Sequence, residues 1–441
     1  MPEASPPIRK HLSADALIRT LKARFEQLPD QRTDPLIPLQ DALLSAFALF
    51  SLKDPSLLAF DERRTDQNLK HLYGIGQIPS DTQMRKILDP VDPAALRPAF
   101  QDVFRQLQRG KALEEFVFHE GCYLLALDGT GYFSSTSIHC DSCLEKTSKQ
   151  TGQVTYSHQM LTAAIVHPEF REVIPLAPEP ITKQDGSTKN DCERNAAKRL
   201  LKTIRHEHPH LKFLVIEDGL ASNAPHIREL KQQNMHFLLG AKPGDHEFLF
   251  EQLLAREDAN EVTALSGQTL DQKNWGIRFA HDLPLNETHQ DLRVNFLEYA
   301  EFDRAGEVRK RFSWVTDLPI TRQSALHLAR GGRTRWKIEN ETINTLKNQG
   351  YQFEHNFGHG QKNLSVVFAM LMMLAFLVDQ TQQLCCPLFQ AVWHKAGSKR
   401  ALWEQLRSHA YHFVFDSFEH LYRVMLSDAA KGIPPPAVDS S

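Results

Sequence analysis

The spacing of apolar positions divides the chain into stretches of different character. From residue 12 to about 110 the period is helical. "SADALIRTLKARFEQL" places Ile18, Leu21 and Phe25 on one face behind a Ser/Asp start, and "PLQDALLSAFALFSL" is an apolar helix entered at Pro38. "NLKHLYGIGQIPSDTQMRKIL" reads as a short helix, a glycine-containing turn and a second helix capped by Ser80, with Arg85 and Lys86 on that second helix. The order fits a helix-turn-helix, and it equally fits an ordinary helical hairpin.

At Tyr123 the period changes. "YLLALDGTGYFSS" is an apolar strand ending in Asp128-Gly129, and "YSHQMLTAAIVHP" and "REVIPLAPEPI" read as the next two strands. "NDCERNAAKRLLKTIRHEH" is a helix capped by Asn190 or Asp191, with Ala196, Leu200 and Ile204 inward. "KFLVIEDG" is a buried strand ending in Asp218-Gly219; a helix near 224–233 and the strand "HFLLGAKP" follow. This is a mixed α/β order. From Gly244 to about Lys310 the pattern turns polar and β-like, with "WGIRFAHDLPL" and "DLRVNFLEYAEF" as strands of a side sheet. "RFSWVTDLPI" returns to a core-like strand, and "RTRWKIENETINTLKNQG" is an amphipathic helix ended by a glycine. Residues 361–441 are helical again before a loose "GIPPPAVDSS" tail. Their most apolar run, Leu364 to Val378, contains Ser365 and is short for a membrane span, so it reads as a buried core helix. The expected organisation is a helical region over 1–120 that is a candidate for DNA binding, a core over 121–243 and 311–360, a β-rich insertion over 244–310, and a helical region over 361–441.

Composition changes this picture little. A chain of 441 residues, 41% hydrophobic and 24% charged, is ordinary for a soluble protein of more than one domain. "MPEASPPIRK" has no apolar leader, so no export signal is expected and the six cysteines are expected to be reduced. "HCDSC" holds one CxxC, Cys140 and Cys143, without a second CxxC or an HxxxH at zinc spacing; polar-loop cysteines are the simpler reading. His355 and His359 are four apart in "EHNFGHG", where two glycines argue against a metal-binding helix. Net charge is −3, which does not announce a nucleic-acid binder, but Arg309 to Lys347 carries nine Lys or Arg against Asp317, Glu339 and Glu341. Such a stretch can hold phosphates in a globally neutral protein, or it can be a solvated face.

The chemistry turns on which carboxylate the amphipathic helix presents inward. With Trp336 as origin and about 100° per residue, Ile343 and Leu346 fall at about 340° and 280°, Glu339 at about 300° and Glu341 at about 140°. Glu339 therefore points with the apolar stripe and Glu341 to solvent. An inward carboxylate must be paired, protonated or bound to metal. An i,i+4 ion pair with Arg335 would suffice by itself. Asp128 and Asp218, however, each follow an apolar strand and precede a glycine. Taken singly, each fits a turn. Together with Glu339 they fit a three-carboxylate site of hard oxygen ligands, suited to Mg²⁺ or Mn²⁺.

At these residues the sequence resembles the DDE transposases of bacterial insertion sequences, within the group that carries a β-rich insertion before the last catalytic helix. "LALDGTGYFSS", "VIEDG" and "RTRWKIENETINTLKNQGYQFEHNFGHG" carry the resemblance, supported by "CDSCLEKTSKQTGQVTYSHQM" and "KQDGSTKNDCERNAAKRLL"; it spans about Tyr123 to Gly360. It implies an α/β fold with a ribonuclease-H-like mixed sheet core, the first Asp on the first strand, the second after the fourth, and the Glu on a late helix. Asp128, Asp218 and Glu339 occupy those positions as catalytic and metal-holding residues. In the family the Glu belongs to a Tyr, Arg, Glu, Lys pattern. Arg335 matches the Arg, Lys347 stands eight after Glu339 where the family has seven, and Gly332 stands where the Tyr is expected.

The resemblance implies metal-dependent cleavage at element ends and strand transfer into target DNA, with two Mg²⁺ or Mn²⁺ ions about 3.5–4 Å apart. It also implies a homodimer on paired DNA ends, in the bacterial cytoplasm at the nucleoid, with no membrane partner. Arg335 and Lys347 would hold phosphates near the cut, and Arg309, Lys310 and Arg311 would contact element-end backbone. Trp314 could stack on an unpaired base but fits a core position better. Lys183, Asp185, Lys189 and Asp191 fit a DNA groove, or a solvated loop and a cap. Three other readings remain: a catalytically silent DNA-binding protein derived from a transposase, a ribonuclease-H-like nuclease that cuts without joining, and an α/β protein whose three acids are two turns and an ion pair.

Overall fold

The computed structural model describes residues 11–183, 190–268 and 274–427. Asp185, Lys189 and the "GIPPPAVDSS" tail lie outside them. Four of the α-helices in the first hundred residues start where an N-cap side chain accepts from a free N–H group. Ser13 caps α1 (Ala14–Phe25), which buries Leu17, Ile18, Leu21 and Phe25, and Pro38 opens α2 (Leu39–Ser51). Ser56 and Asp66 cap the short α3 (Leu57–Asp61) and α4 (Gln67–His71). Ser80 and Gln83 form a reciprocal capping box on α5 (Asp81–Leu88), where Arg85 is paired to Asp81 at 3.2 Å. Helix α6 (Arg97–Arg109) completes this part.

The sheet comprises β1 (Val117–His119), β2 (Cys122–Ser135), β3 (Leu144–Thr147), β4 (Val154–Val166), β5 (Ile174–Pro175), β6 (Glu179–Ile181), β7 (Lys212–Glu217), β8 (His236–Gly240), β9 (Thr263–Gln268), β10 (Asn274–Pro284), β11 (Arg293–Phe302) and β12 (Val308–Thr316). Its path is β3-β4-β2-β7-β8-β12-β11-β10-β9, with β1 beside β2 and β5 and β6 beside β4. Strands β2, β7 and β8 run parallel; the other pairs are antiparallel. Two helices join the parallel strands, α7 (Glu193–Glu207) and α8 (Ala224–Gln232).

Four sequence expectations need correction. The insertion is not a side sheet, because β12 pairs with β8 and carries the same sheet on through β11, β10 and β9. It also contains a helix, α9 (Glu247–Asp258), in a stretch read as β-like. "REVIPLAPEPI" forms two short pieces on β4 rather than one strand. The N-cap of α7 is Cys192, because Asp191 is engaged by Arg199 at 2.7 Å and Asn190 accepts from the Glu145 N–H. Ala196, Leu200 and Ile204 do face inward.

The remaining helices are α10 (Ala325–Arg333), α11 (Asn344–Asn348), α12 (Leu364–Cys385), α13 (Pro387–Ala396), α14 (Lys399–His412) and α15 (Phe418–Leu426). Helix α12 extends the apolar run well beyond Val378. By length and composition it could cross a membrane, yet it is almost wholly buried inside the protein. It packs on α2, α6 and β5, as a core helix should. Within that core Lys53 Nζ meets Asp379 Oδ2 at 2.6 Å, with 1% and 4% of the two side chains exposed. The Tyr351 hydroxyl bonds the same carboxylate, and the ammonium lies 4.3 Å and 4.1 Å from the Tyr351 and Trp403 ring centroids. Burial works against both charges, and their pairing opposes it only in part.

Two outcomes follow. Asp379→Ala should lower unfolding free energy by about 3–5 kcal/mol, since it strands a buried ammonium, while Lys53→Met with Asp379→Leu should recover most of it; urea denaturation of the three variants checks this. His208, packed on Phe104 with ring centroids 4.4 Å apart, is held down to about 4 by burial. Its folded value lies below its unfolded one, so its share of stability is present above pH 6.5 and lost as pH falls toward 4. Between pH 7.5 and 5 wild type should lose about 2 kcal/mol more than His208→Leu in parallel melts.

Candidate active site

Strand register brings the two aspartates together. Strands β2 and β7 pair with a constant offset of 90, from Cys122↔Lys212 to Ala126↔Ile216. Continued two residues beyond the last pair, the same offset would set Asp128 abreast of Asp218, and Asp218 is indeed among the charges that raise Asp128. The strand does not end at Asp128, as the sequence led us to expect: β2 runs on to Ser135, and the Thr162 hydroxyl of β4 donates to the Asp128 carbonyl at 2.8 Å. Asp218 lies one residue past β7. One of its oxygens accepts from the Leu220 N–H at 3.0 Å, so the turn reading also holds, while the exposed carboxylate keeps its other oxygen for a ligand. Gly240 on β8 allows this corner to sit close, since a Cβ there would lie 3.0 Å from the Gly219 nitrogen.

The glutamate segment is not a single amphipathic α-helix. Helix α10 ends at Arg333, a π-helical stretch covers Ile338–Ile343, and α11 resumes at Asn344. Ile338, Thr342, Ile343, Thr345 and Leu346 are buried, but Trp336, the origin of the sequence-based wheel, is 45% exposed. A π turn holds more residues than an α turn, so a constant 100° step fails across Glu339. The expected inward Glu339 is 46% exposed at its side chain, and the expected outward Glu341 is only 12% exposed, paired to Arg171 at 3.2 Å. Burial therefore does not select the glutamate. Arg335 does: its Nη2 is 2.7 Å from Glu339 Oε1 and its Nη1 4.0 Å from Asp128 Oδ2. The i,i+4 ion pair and the carboxylate cluster are one arrangement. The π stretch also takes up the additional residue between Glu339 and Lys347, but the Lys347 ammonium is engaged by Glu354 at 2.7 Å.

Gly332, where the resemblance leads one to expect a tyrosine, is filled from another strand: a Cβ there would overlap the indole of Trp314. Trp314 is 5% exposed and belongs to the core.

Electrostatics bind the acids into one group. The Asp128 carboxyl is pushed up to about 6, first by burial and then by the charges of Glu339, Asp218 and Glu193, with Arg335 opposing. Glu193 is raised as well, by burial and by Asp218 and Glu217. Sequence reasoning missed Glu193, the first residue of α7. A signal existed at Gly129, where a side chain would run into the Glu193 carboxylate; the Asp-Gly pair marks space as much as a turn. Four carboxylates, two of them paired with the Arg335 guanidinium, form a negative, oxygen-rich cluster.

Beside Asp218 opens a groove of about 750 Å³ lined by Lys242, Lys310, Arg311, Arg333 and Arg335 and by the exposed faces of Phe312 and Trp336. Lys310, Arg311 and Arg335 thus line one groove. Arg309 points elsewhere, toward Asp303 at 3.7 Å.

No match was found among curated proteins. The family model described as a transposase DDE domain matches residues 127–377, over half of the chain. That span opens next to Asp128 and runs past Glu339 into α12. The match accounts for the ribonuclease-H-like mixed sheet: the protein belongs to the DDE transposases.

Proposed function

We propose that the protein is the transposase of an insertion sequence, cutting DNA at element ends and joining the freed ends to target DNA. Asp128, Asp218 and Glu339 hold the metal ions in this reading. The observation that carries it is that Arg335 bridges Glu339 and Asp128, while Asp218 and Glu339 both act on the Asp128 carboxyl. The residues fit the ions the family uses. Carboxylate oxygens suit Mg²⁺ or Mn²⁺, and a cation would offset both the burial and the neighbouring charges that raise Asp128. When bound, the ions activate the attacking oxygen and offset charge on the leaving oxygen at a phosphodiester. Asp128 and Asp218 fix position from the rigid sheet, and Glu339 and Glu193 supply further oxygens. Arg335, relieved of Glu339, turns its fork to a phosphate. Lys242, Lys310 and Arg311 line the backbone path, and Trp336 offers an exposed face to an unstacked base. Two ends must be cut together, so a homodimer on paired ends is part of the proposal.

Cleavage and joining on DNA carrying the gene's own flanking ends, with Mg²⁺ or Mn²⁺, tests it. Asp128→Asn, Asp218→Asn and Glu339→Gln should each lose roughly 10²–10³-fold or more, and Glu341→Gln should stay within about tenfold of wild type. Wild type that binds the ends without cutting would point to a silent DNA-binding protein; cutting without joining would point to a nuclease. In a separate titration against salt, Lys310→Ala with Arg311→Ala should reduce the slope of log affinity by about 1.8, the loss of two phosphate contacts. Arg309→Ala should leave that slope unchanged, and an equal drop would remove the groove from the argument.

A further inference from the structure

We propose that Cys140, Cys143, His158 and His359 form a structural zinc site. Cys140 and Cys143 lie in the loop between β2 and β3, His158 is on β4, and His359 is in the segment leading into α12, 216 residues beyond Cys143. All four are buried, and their four ligand atoms lie within 4.8 Å of one another. Zinc with Zn–S of about 2.3 Å and Zn–N of about 2.0 Å in tetrahedral geometry requires S···S of about 3.8 Å and S···N of about 3.5 Å. Cys140 Sγ and Cys143 Sγ are 3.8 Å apart, which is no disulfide. His158 Nε2 is 3.4 Å from Cys140 Sγ and 3.5 Å from Cys143 Sγ, and His359 Nε2 is 3.2 Å from Cys143 Sγ. These are edges of the required tetrahedron.

Charge agrees with geometry. Two thiolates, two neutral imidazoles and Zn²⁺ sum to zero, which a buried site needs. Four protein ligands close the coordination, so the role is structural rather than catalytic. The rings are held by packing, His158 stacked on Tyr132 at 5.8 Å and His359 against Phe133 at 4.3 Å. The His359 segment is anchored from its other side, where the Asp89 carboxylate accepts from the N–H groups of Gln361, Lys362, Asn363 and Leu364. A metal here clamps that segment, which leaves the Glu339 element, to the strand neighbouring β2. Reading Cys140 and Cys143 as polar-loop cysteines is thereby replaced, and His359 acts without His355.

The test is elemental analysis of the full chain, purified anaerobically without chelator, together with Co²⁺ substitution. About one zinc per chain is expected, and the Co²⁺ form should show a thiolate charge-transfer band with tetrahedral ligand-field absorption. Cys143→Ser and His359→Ala should hold at least tenfold less zinc, while Cys192→Ser and His355→Ala keep it. Should the ligand variants fail to fold, stripping wild type with a strong chelator should lower its melting temperature, with recovery on adding Zn²⁺ but not Mg²⁺. Folded wild type with less than a tenth of an equivalent after zinc supplementation, Co²⁺ uptake without the thiolate band, or a Cys140–Cys143 disulfide in the anaerobic protein would each overturn the proposal.

Discussion

Two carboxylates brought close by neighbouring parallel strands, one on β2 and one just past the end of β7, are the constraint around which the rest of this protein is arranged. The β2–β7 pairing brings the ends of two buried apolar strands side by side, and with them Asp128 and Asp218. Keeping carboxylates here is a standing cost: burial first, then the charges of Glu339, Asp218 and Glu193, raise the Asp128 carboxyl. Arg335 offsets part of that cost and in doing so fixes which glutamate belongs to the group.

The π-helical stretch has the same origin. A regular helix through Lys337, Ile338 and Leu346 would set Glu339 by the apolar phase alone. Widening the backbone by part of a turn lets Ile338, Ile343 and Leu346 stay buried while Glu339 leaves the apolar stripe and turns to Asp128. Glycines give the neighbouring space. At Gly129 it is taken by the Glu193 carboxylate and at Gly332 by the Trp314 indole. Each is a place where a side chain from a distant segment replaces one the chain does not carry.

Around this site the helical parts act as a frame. Helix α12 is buried along its length, and the Lys53–Asp379 pair ties it to the turn after α2. Asp89 at the end of α5 and the Cys/His cluster hold the segment between the glutamate element and α12 from two sides. A reaction that needs charges placed within a fraction of an ångström benefits from such cross-bracing more than from any single strong contact.

Local signals were legible in the chain itself. Ser13 and Ser80 as caps, the apolar strands before Asp128 and Asp218, the inward face of α7 and the core character of α12 all follow from periodicity and capping chemistry, which act over a few residues. The Arg335–Glu339 spacing was legible for the same reason. What tertiary structure alone decided were matters of distance along the chain. These are the joining of the insertion to the main sheet through β12 and β8, the arrival of Glu193 at Gly129, the filling of Gly332 by Trp314, and the meeting of Cys140 and Cys143 with His359. The faces of Glu339 and Glu341 belong with them. A helical wheel assumes one constant turn, and the packing of this segment against β2 and β4 changed the turn.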